Sequence, residues 1–381
     1  MSQIIILGAG FGGLSSANEL HRLLGDKHKI ILIDRKKKFS VGASNLWVML
    51  GKRSRESCEK EISLIENKGI KFVNEDIVDI NTDEKRVYTT TNYFKYDYLI
   101  IALGTELYPE AVMGFKESAL NLYEMAGAHD ISQEIEKFYR GRIVILISRM
   151  PFKCPAAPYE AGFLLDEYFR NNGRRENVSI TICTPEPQPL PTAGKAGSEL
   201  MMELLKAKNI LLRHREKALS IDSQRKIIVF ESGVEERFDL LIGVPAHIPP
   251  IVAKKFVNES NWIQVDKSTL KTSVKDVYAI GDVTILKLSN SMAIPKAGIF
   301  ADEEGSVVAF NIASEILGKQ ETKSFEGRGY CFLETGNMES AKIEGSFFTE
   351  PEPRIVIKNV SKENYYEKIK FEKDTIERFF G

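Results

Sequence analysis

The sequence predicts an α/β protein with two Rossmann-like dinucleotide-binding domains and a C-terminal α+β unit. Three observations carry that expectation. A glycine fingerprint follows the first strand, a second buried strand of parallel type runs over residues 141–148, and residues 313–381 form an aromatic-rich unit of their own. At 381 residues the chain is long enough to bury a large core and divide into two or three domains.

Ile4-Ile5-Ile6-Leu7 reads as a buried strand, followed by Gly8-Ala9-Gly10-Phe11-Gly12-Gly13 and a helix-like stretch from Leu14 to Leu24. Gly8 permits the tight turn, Gly10 lets the backbone approach a pyrophosphate, and Gly13 lets helix and strand pack closely. Amides at the helix start then face the phosphates. A second strand, Lys29–Ile33, ends at Asp34, 21 residues after Gly13, where a carboxylate would accept the ribose hydroxyls.

Two later segments specify FAD by resemblance to two-dinucleotide flavoproteins. Tyr96–Thr105, with Ala102 and Gly104, resembles their "ATG" segment. Val277-Tyr-Ala-Ile-Gly281-Asp282 resembles their second FAD motif, whose carboxylate holds a ribityl hydroxyl. The expected division is a split FAD domain (1–110 and 235–312), an insert (111–234) and the C-terminal unit (313–381). The insert reads as strand 142–148, helix 156–172, strand 178–183, helix 196–208, then strands near 210–220 and 226–231.

A glycine turn for a nicotinamide dinucleotide should follow the strand Gly141–Ser148. The chain runs instead Arg149-Met-Pro-Phe-Lys153-Cys154-Pro155-Ala-Ala-Pro158, with no glycine until Gly162. A thiol stands where that cofactor would dock. Pro155 suits a first helical position, and the helix dipole with Lys153 beside it would favour the Cys154 thiolate. Cys331, in the alternating segment Gly329–Gly336, is a second candidate, 177 residues downstream. Cys58 and Cys183 read as ordinary surface or core thiols. Four scattered cysteines make neither a disulfide scaffold nor a metal site.

On Gly8–Gly13, Lys153-Cys-Pro-Ala-Ala-Pro-Tyr-Glu160, Val277–Asp282, Ile294-Pro-Lys296-Ala-Gly298 and the Cys331 segment, the chain resembles the sulfide:quinone oxidoreductases and the flavin subunit of flavocytochrome c sulfide dehydrogenase. The resemblance spans essentially the whole chain and implies a glutathione reductase-like fold holding FAD. It implies a redox-active disulfide or polysulfide bridge between Cys154 and Cys331, opened by hydrosulfide, with electrons passing on to a quinone. It places Lys296 at the flavin edge. Glu160 is an acid/base candidate, with a solvated helix carboxylate as its alternative. One departure is the lack of a third cysteine in residues 105–153, where Met125, four residues before His129, takes its place. His129 and His247 read as structural rather than catalytic.

For the quinone, Phe325, Tyr330, Phe332, Phe347 and Phe348 supply aromatic faces, although an aromatic core would look the same. The tail from Tyr365 to Phe380 is either an amphipathic membrane-surface helix or packs on the domain. With five acidic and four basic residues in 363–381, it has little electrostatic pull on lipid. A formal net charge of −1 gives no attraction to nucleic acid. No apolar stretch approaches the roughly 20 residues of a membrane span. The start of the chain shows no export signal. The expected location is therefore cytoplasmic, peripheral on the inner face of the cell membrane; a homo-oligomer stays open. Competing functions are transfer to a cytochrome c subunit, NADH:quinone-type reduction, and a non-catalytic FAD-bearing sensor.

Overall fold

The computed structural model describes residues 1–257 and 261–381. The chain opens with β1 (Gln3–Leu7), α1 (Phe11–Leu24), β2 (Lys29–Ile33), β3 (Lys71–Val73) and β4 (Tyr98–Ile101). β1, β2 and β4 are near-continuous apolar runs because both faces of a parallel sheet are covered. Ile4, Ile6, Ile30, Leu32 and Ile100 pack in the layer of α1. Ile5, Leu7, Ile31, Ile33 and Ile101 fill the opposite layer.

The turn from β1 into α1 depends on two glycines. A Cβ on Gly8, at φ +97°, would lie 2.4 Å from the Ala102 carbonyl oxygen, and one on Gly13 would lie 1.8 Å from the Gly8 carbonyl oxygen. Both obstacles are backbone and cannot swing aside. Gly13→Ala is expected to cost about 3 kcal/mol, the upper end for overpacking, and to displace the start of α1, on which the expected FAD would depend. Urea unfolding and the visible absorbance of the purified protein test this.

After β4 comes a second parallel sheet of β5 (Leu120–Asn121), β6 (Gly141–Ile147), β7 (Val178–Cys183), β8 (Ile210–Arg213) and β9 (Leu240–Val244), in the order β5-β9-β6-β7-β8. Helix α2 (Ala157–Asn171) connects β6 to β7. Leu240–Val244 pairs with β5 on one side and β6 on the other. It therefore belongs to this sheet, although the sequence division gave residues from 235 onward to the first domain. That division followed motifs, whereas pairing partners decide sheet membership.

β10 (Val277–Ala279) returns beside β4 and completes the first sheet, β10-β4-β1-β2-β3. Helix α3 (Gly298–Ile316) then packs against α1. The C-terminal unit is an antiparallel sheet of β11 (Arg328–Gly336), β12 (Glu339–Ser346) and β13 (Arg354–Ser361), followed by α4 (Lys362–Phe380). Ser361 caps α4, its side chain accepting from the Asn364 amide.

Helix α4 lies on the protein. Phe379 is fully buried, and Phe371, Ile376 and Phe380 pack against the first-domain core. Phe371 stacks on Phe11 with 6.3 Å between ring centroids. Of the two expectations for the tail, the structure shows the packed one, with Tyr366 and parts of Ile369, Phe371, Ile376 and Phe380 still reaching the surface. Among the described residues no helix is long and apolar enough to cross a membrane.

Candidate functional site

Cys154 sits in the loop between β6 and α2, with a left-handed φ of +47°. A non-glycine residue in that region is sparsely populated and persists only where its surroundings hold it. Here the amide of Cys154 donates to the Lys296 carbonyl at 2.7 Å. Its own carbonyl accepts from the Tyr123 hydroxyl at 3.1 Å and from the Ala157 amide at 3.0 Å. The loop of the second domain is thus bonded to a loop of the first.

Cys154 is exposed, with Glu160 and Lys368 near enough to act on its thiol. Burial, reinforced by the charge of Glu160, pushes it up to about 12 against the opposing pull of Lys368 and the Ala157 amide. This direction reverses the sequence expectation of a favoured thiolate. The helix begins at Ala157, with Pro158 rather than Pro155 in its first turn, so Cys154 stands just outside the helix end. Lys153 is itself pushed down by burial.

Cys331 lies on β11 opposite Ile343 of β12, half-buried against the core of the second domain. Burial, then the charge of Cys154, raises its thiol, and Glu160 and Lys368 act on it as well. Fold and electrostatics thus bring the two cysteines into one neighbourhood; both are free thiols here.

Glu160, on α2, is only 3 % exposed. Its Oε1 accepts from Lys368 Nζ and from the Glu334 amide, both at 2.7 Å. It is not a solvated helix carboxylate. Burial raises its carboxyl, and Lys368 pulls it back. Lys368 Nζ also donates to Glu334 Oε2 at 2.8 Å, which accepts from Trp47 Nε1 at 3.1 Å. Lys368, Glu334 and Trp47 were not singled out from the sequence.

The first domain forms an open cradle. Gly10 caps α1 without any side-chain partner, and a Cβ placed on it, or on Gly104, would meet nothing within 4 Å. Asp34 ends β2, with Oδ2 accepting from the Ala9 amide and Oδ1 from the Lys36 amide. Ala102 closes β4, its amide donating to the Leu7 carbonyl at 2.8 Å, while Thr105 Oγ1 is buried with no partner. At the other rim, Gly281 has φ +72° and its amide donates to Glu304. Asp282 is half-buried; burial raises its carboxyl and Lys296 and Lys153 lower it. Lys296 Nζ donates to the carbonyls of Asp282 (2.6 Å) and Thr284 (2.9 Å). It rides 3.6 Å over the Trp262 ring, and burial brings it down to about 8. Free amides at a helix start, an unpartnered hydroxyl and a carboxylate at either rim fit an adenine dinucleotide with its phosphates at α1.

The matching position in the second domain is closed. The Arg149 guanidinium donates to the carbonyls of Ser148, Ala111 and Ala218. Phe152 and Ala156 of that loop are buried in the core.

His247 is buried, with Nδ1 on the Pro245 carbonyl and Nε2 unpartnered; burial and Lys153 push it down to about 3, so it stays neutral. His129 is exposed on its helix, beside Gln133. Met125, Cys58 and Cys183 are buried in the core. The aromatic set divides: Phe325 and Phe347 pack with Phe300, and Phe348 packs on Phe325. Tyr330 and Phe332 instead line a surface cleft of about 660 Å³ together with Ile299 and Phe371.

The family model for pyridine nucleotide-disulphide oxidoreductase matches residues 2–146 and 162–301, with the Cys154 segment in the gap between. The chain is similar to the sulfide-quinone reductase of Aquifex aeolicus (strain VF5), 26 % identical over 393 residues, covering 97 % of this chain and 89 % of that protein. It is 23 % identical over 369 residues to the mitochondrial sulfide:quinone oxidoreductase of Mus musculus, covering 92 % and 79 %. To the type II NADH:quinone oxidoreductase of Staphylococcus aureus (strain NCTC 8325 / PS 47) it is 20 % identical over 346 residues, covering 85 % of each. The crystal structure of the Aquifex aeolicus sulfide:quinone oxidoreductase shares the fold, with a TM-score of 0.90 at 22 % identity, covering 100 % of this chain and 92 % of that one.

Proposed function

Because the chain belongs to the pyridine nucleotide-disulphide oxidoreductase family, we propose that it is an FAD enzyme that oxidises sulfide to sulfane sulfur or polysulfide through Cys154 and Cys331 and passes the electrons to a quinone. The observation that carries this reading is the meeting of the two cysteine-bearing elements at one buried ion pair. Lys368 holds Glu160, six residues beyond Cys154, and Glu334, three residues beyond Cys331.

Gly8, Gly10, Gly13, Asp34, Ala102, Gly104, Gly281, Asp282 and Lys296 would hold FAD. FAD bound there would supply a two-electron acceptor for the sulfur and a donor to the quinone. The chain's own chemistry is thiol exchange. Hydrosulfide attacks one sulfur of the oxidised pair, a new S–S bond forms as the old one breaks, and the departing thiolate keeps the electron pair. That thiolate carries the pair bound for the acceptor, and because its thiol is held high a base must keep it unprotonated until the pair has left. Lys296 places a positive charge beside Asp282, where negative charge can be stabilised.

For the quinone, Tyr330 and Phe332, on the strand that bears Cys331, and Phe371 of α4 supply aromatic walls to a cleft otherwise lined by charged side chains such as Lys342, Glu367, Lys370 and Asp374. A lipid-soluble acceptor entering there implies a protein working peripherally at a membrane, with the side that carries β11 and α4 in contact.

The NADH alternative has relatives of its own, but the second domain's loop gives a pyrophosphate no glycine turn. An anaerobic experiment decides between them. Sulfide should bleach the flavin band of the purified protein within seconds, and NADH should leave it unchanged. Bleaching by NADH alone overturns the proposal.

A further inference from the structure

Resting on the sulfide reading above, we propose that Lys368 is a positioning residue of the sulfur site: it fixes Glu160 against the strand of Cys331 and so governs the proton that Glu160 exchanges with the two thiols. The C-terminal helix is then part of the sulfur machinery.

The geometry is that of a buried unit with one ammonium and two carboxylates. Lys368 is 3 % exposed and Glu334 1 %. Every hydrogen bond in the unit crosses between elements: α4 to α2, α4 to β11, β11 to α2, and from Trp47 in Ser44–Met49 to β11. Two ionised carboxylates sharing one ammonium leave a net negative charge out of water, which is costly. Such an arrangement favours the protonated form of Glu160, whose carboxyl is raised by burial.

The thiols need a proton carrier. A thiol at about 12 leaves only about one molecule in 100,000 ionised at pH 7, so rapid exchange requires a nearby base. The groups facing Glu160 are Lys368 from α4, Glu334 and Cys331 from β11, and Cys154 and Tyr123 from their loops. Tyr365 faces Glu334 and Lys368, and Arg53 is paired with Glu372 further out. Of these, only Lys368 is a cation bonded to Glu160. Burial opposes the charge on Lys368, but the two carboxylates outweigh it and raise its pKa, so it stays protonated.

Changing either partner of Glu160 should move its proton equilibrium, and in opposite directions. Removing the ammonium (Lys368→Met) leaves Glu160 buried with another acid. Removing the competing acid (Glu334→Gln) gives Glu160 sole use of the ammonium. The test is the pH dependence of anaerobic flavin bleaching by sulfide in the full-length flavin-loaded protein. Flavin content and bleaching by dithionite serve as controls. Glu160→Gln should slow bleaching by about 100-fold or more and erase the acid limb of the profile. Lys368→Met should shift that limb to higher pH by about 1–3 units, Lys368→Arg should restore it, and Glu334→Gln should shift it to lower pH. Limbs that stay in place in Lys368→Met and Glu334→Gln reduce Lys368 to a structural prop and overturn the inference. If Lys368→Met does not fold, the downward shift in Glu334→Gln and the position of the limb in Lys368→Arg decide alone. An unmodified protein that sulfide fails to bleach would sink the sulfide reading itself, and this inference with it.

Discussion

Replacing Cys154 by alanine is expected to leave a folded, yellow protein that sulfide bleaches at least about a thousandfold more slowly. The fold survives because the backbone bonds that hold this residue do not involve its sulfur. Its amide still reaches the Lys296 carbonyl, and its carbonyl still receives the Tyr123 hydroxyl and the Ala157 amide. Alanine is no worse than cysteine at φ +47°, so no new strain enters. Cys331→Ala should behave alike, since the β11–β12 pairing opposite Ile343 is a backbone matter. It loses only a small, half-buried contact, about 1 kcal/mol. The double variant should be no slower than either single one, because residues that act as a unit are not additive. Stopped-flow bleaching by sulfide checks all three. A single variant that keeps the unmodified rate would remove the cysteine pair from the reaction.

Phe379→Ala is expected to lower the unfolding free energy by about 3–5 kcal/mol, the range for emptying a large aromatic site in a core. Phe379 is fully buried, with its ring edge-on to Phe11 (6.1 Å between centroids) and to Phe39 (5.6 Å). The helix end is further tied by Arg378 to Asp302 on α3. Urea unfolding measures the loss. A tail that served chiefly as a lipid anchor would respond otherwise, losing vesicle binding with little change in the unfolding midpoint. Because Phe11 opens α1 beside the phosphate cradle, the variant should also hold flavin more weakly.

Much of the first domain was legible because its signals are local. Strand, glycines, helix, strand and Asp34 follow one another within 34 residues, and the structure sets them in that order around one crevice. The insert's strands at 142–148, 178–183 and 226–231 were legible, but the run near 210–220 divides between Ile210–Arg213 and Ala218–Asp222 in different sheets, and the insert's edge was not legible. Leu240–Val244 is an apolar run that could complete either sheet, and only pairing with β5 and β6 assigns it.

The ion-paired unit behind the cysteines was illegible for a different reason. On α4 the buried positions are Asn364, Lys368, Glu372, Thr375 and Phe379, a stripe that is polar in four of five places. Hydrophobic periodicity therefore assigns that face to solvent. A buried lysine announces itself only through partners on α2 and β11, which no spacing along the chain can reveal. The direction of the Cys154 shift was missed likewise. A helix end and a neighbouring lysine are visible in sequence, whereas the protein mass behind the thiol is not.

The bond from the Cys154 amide to the Lys296 carbonyl also bears on how product leaves. It ties the two nucleotide-type lobes at this loop, so a rotation that parted them between cycles would have to break it, at a cost of about 1 kcal/mol. On the proposed sulfur chemistry, a growing sulfane chain would then leave past the exposed side of Cys154 rather than through a parting of the lobes. The length at which such a chain is shed should accordingly change when the residues around Cys154 are altered and not when a hinge is stiffened.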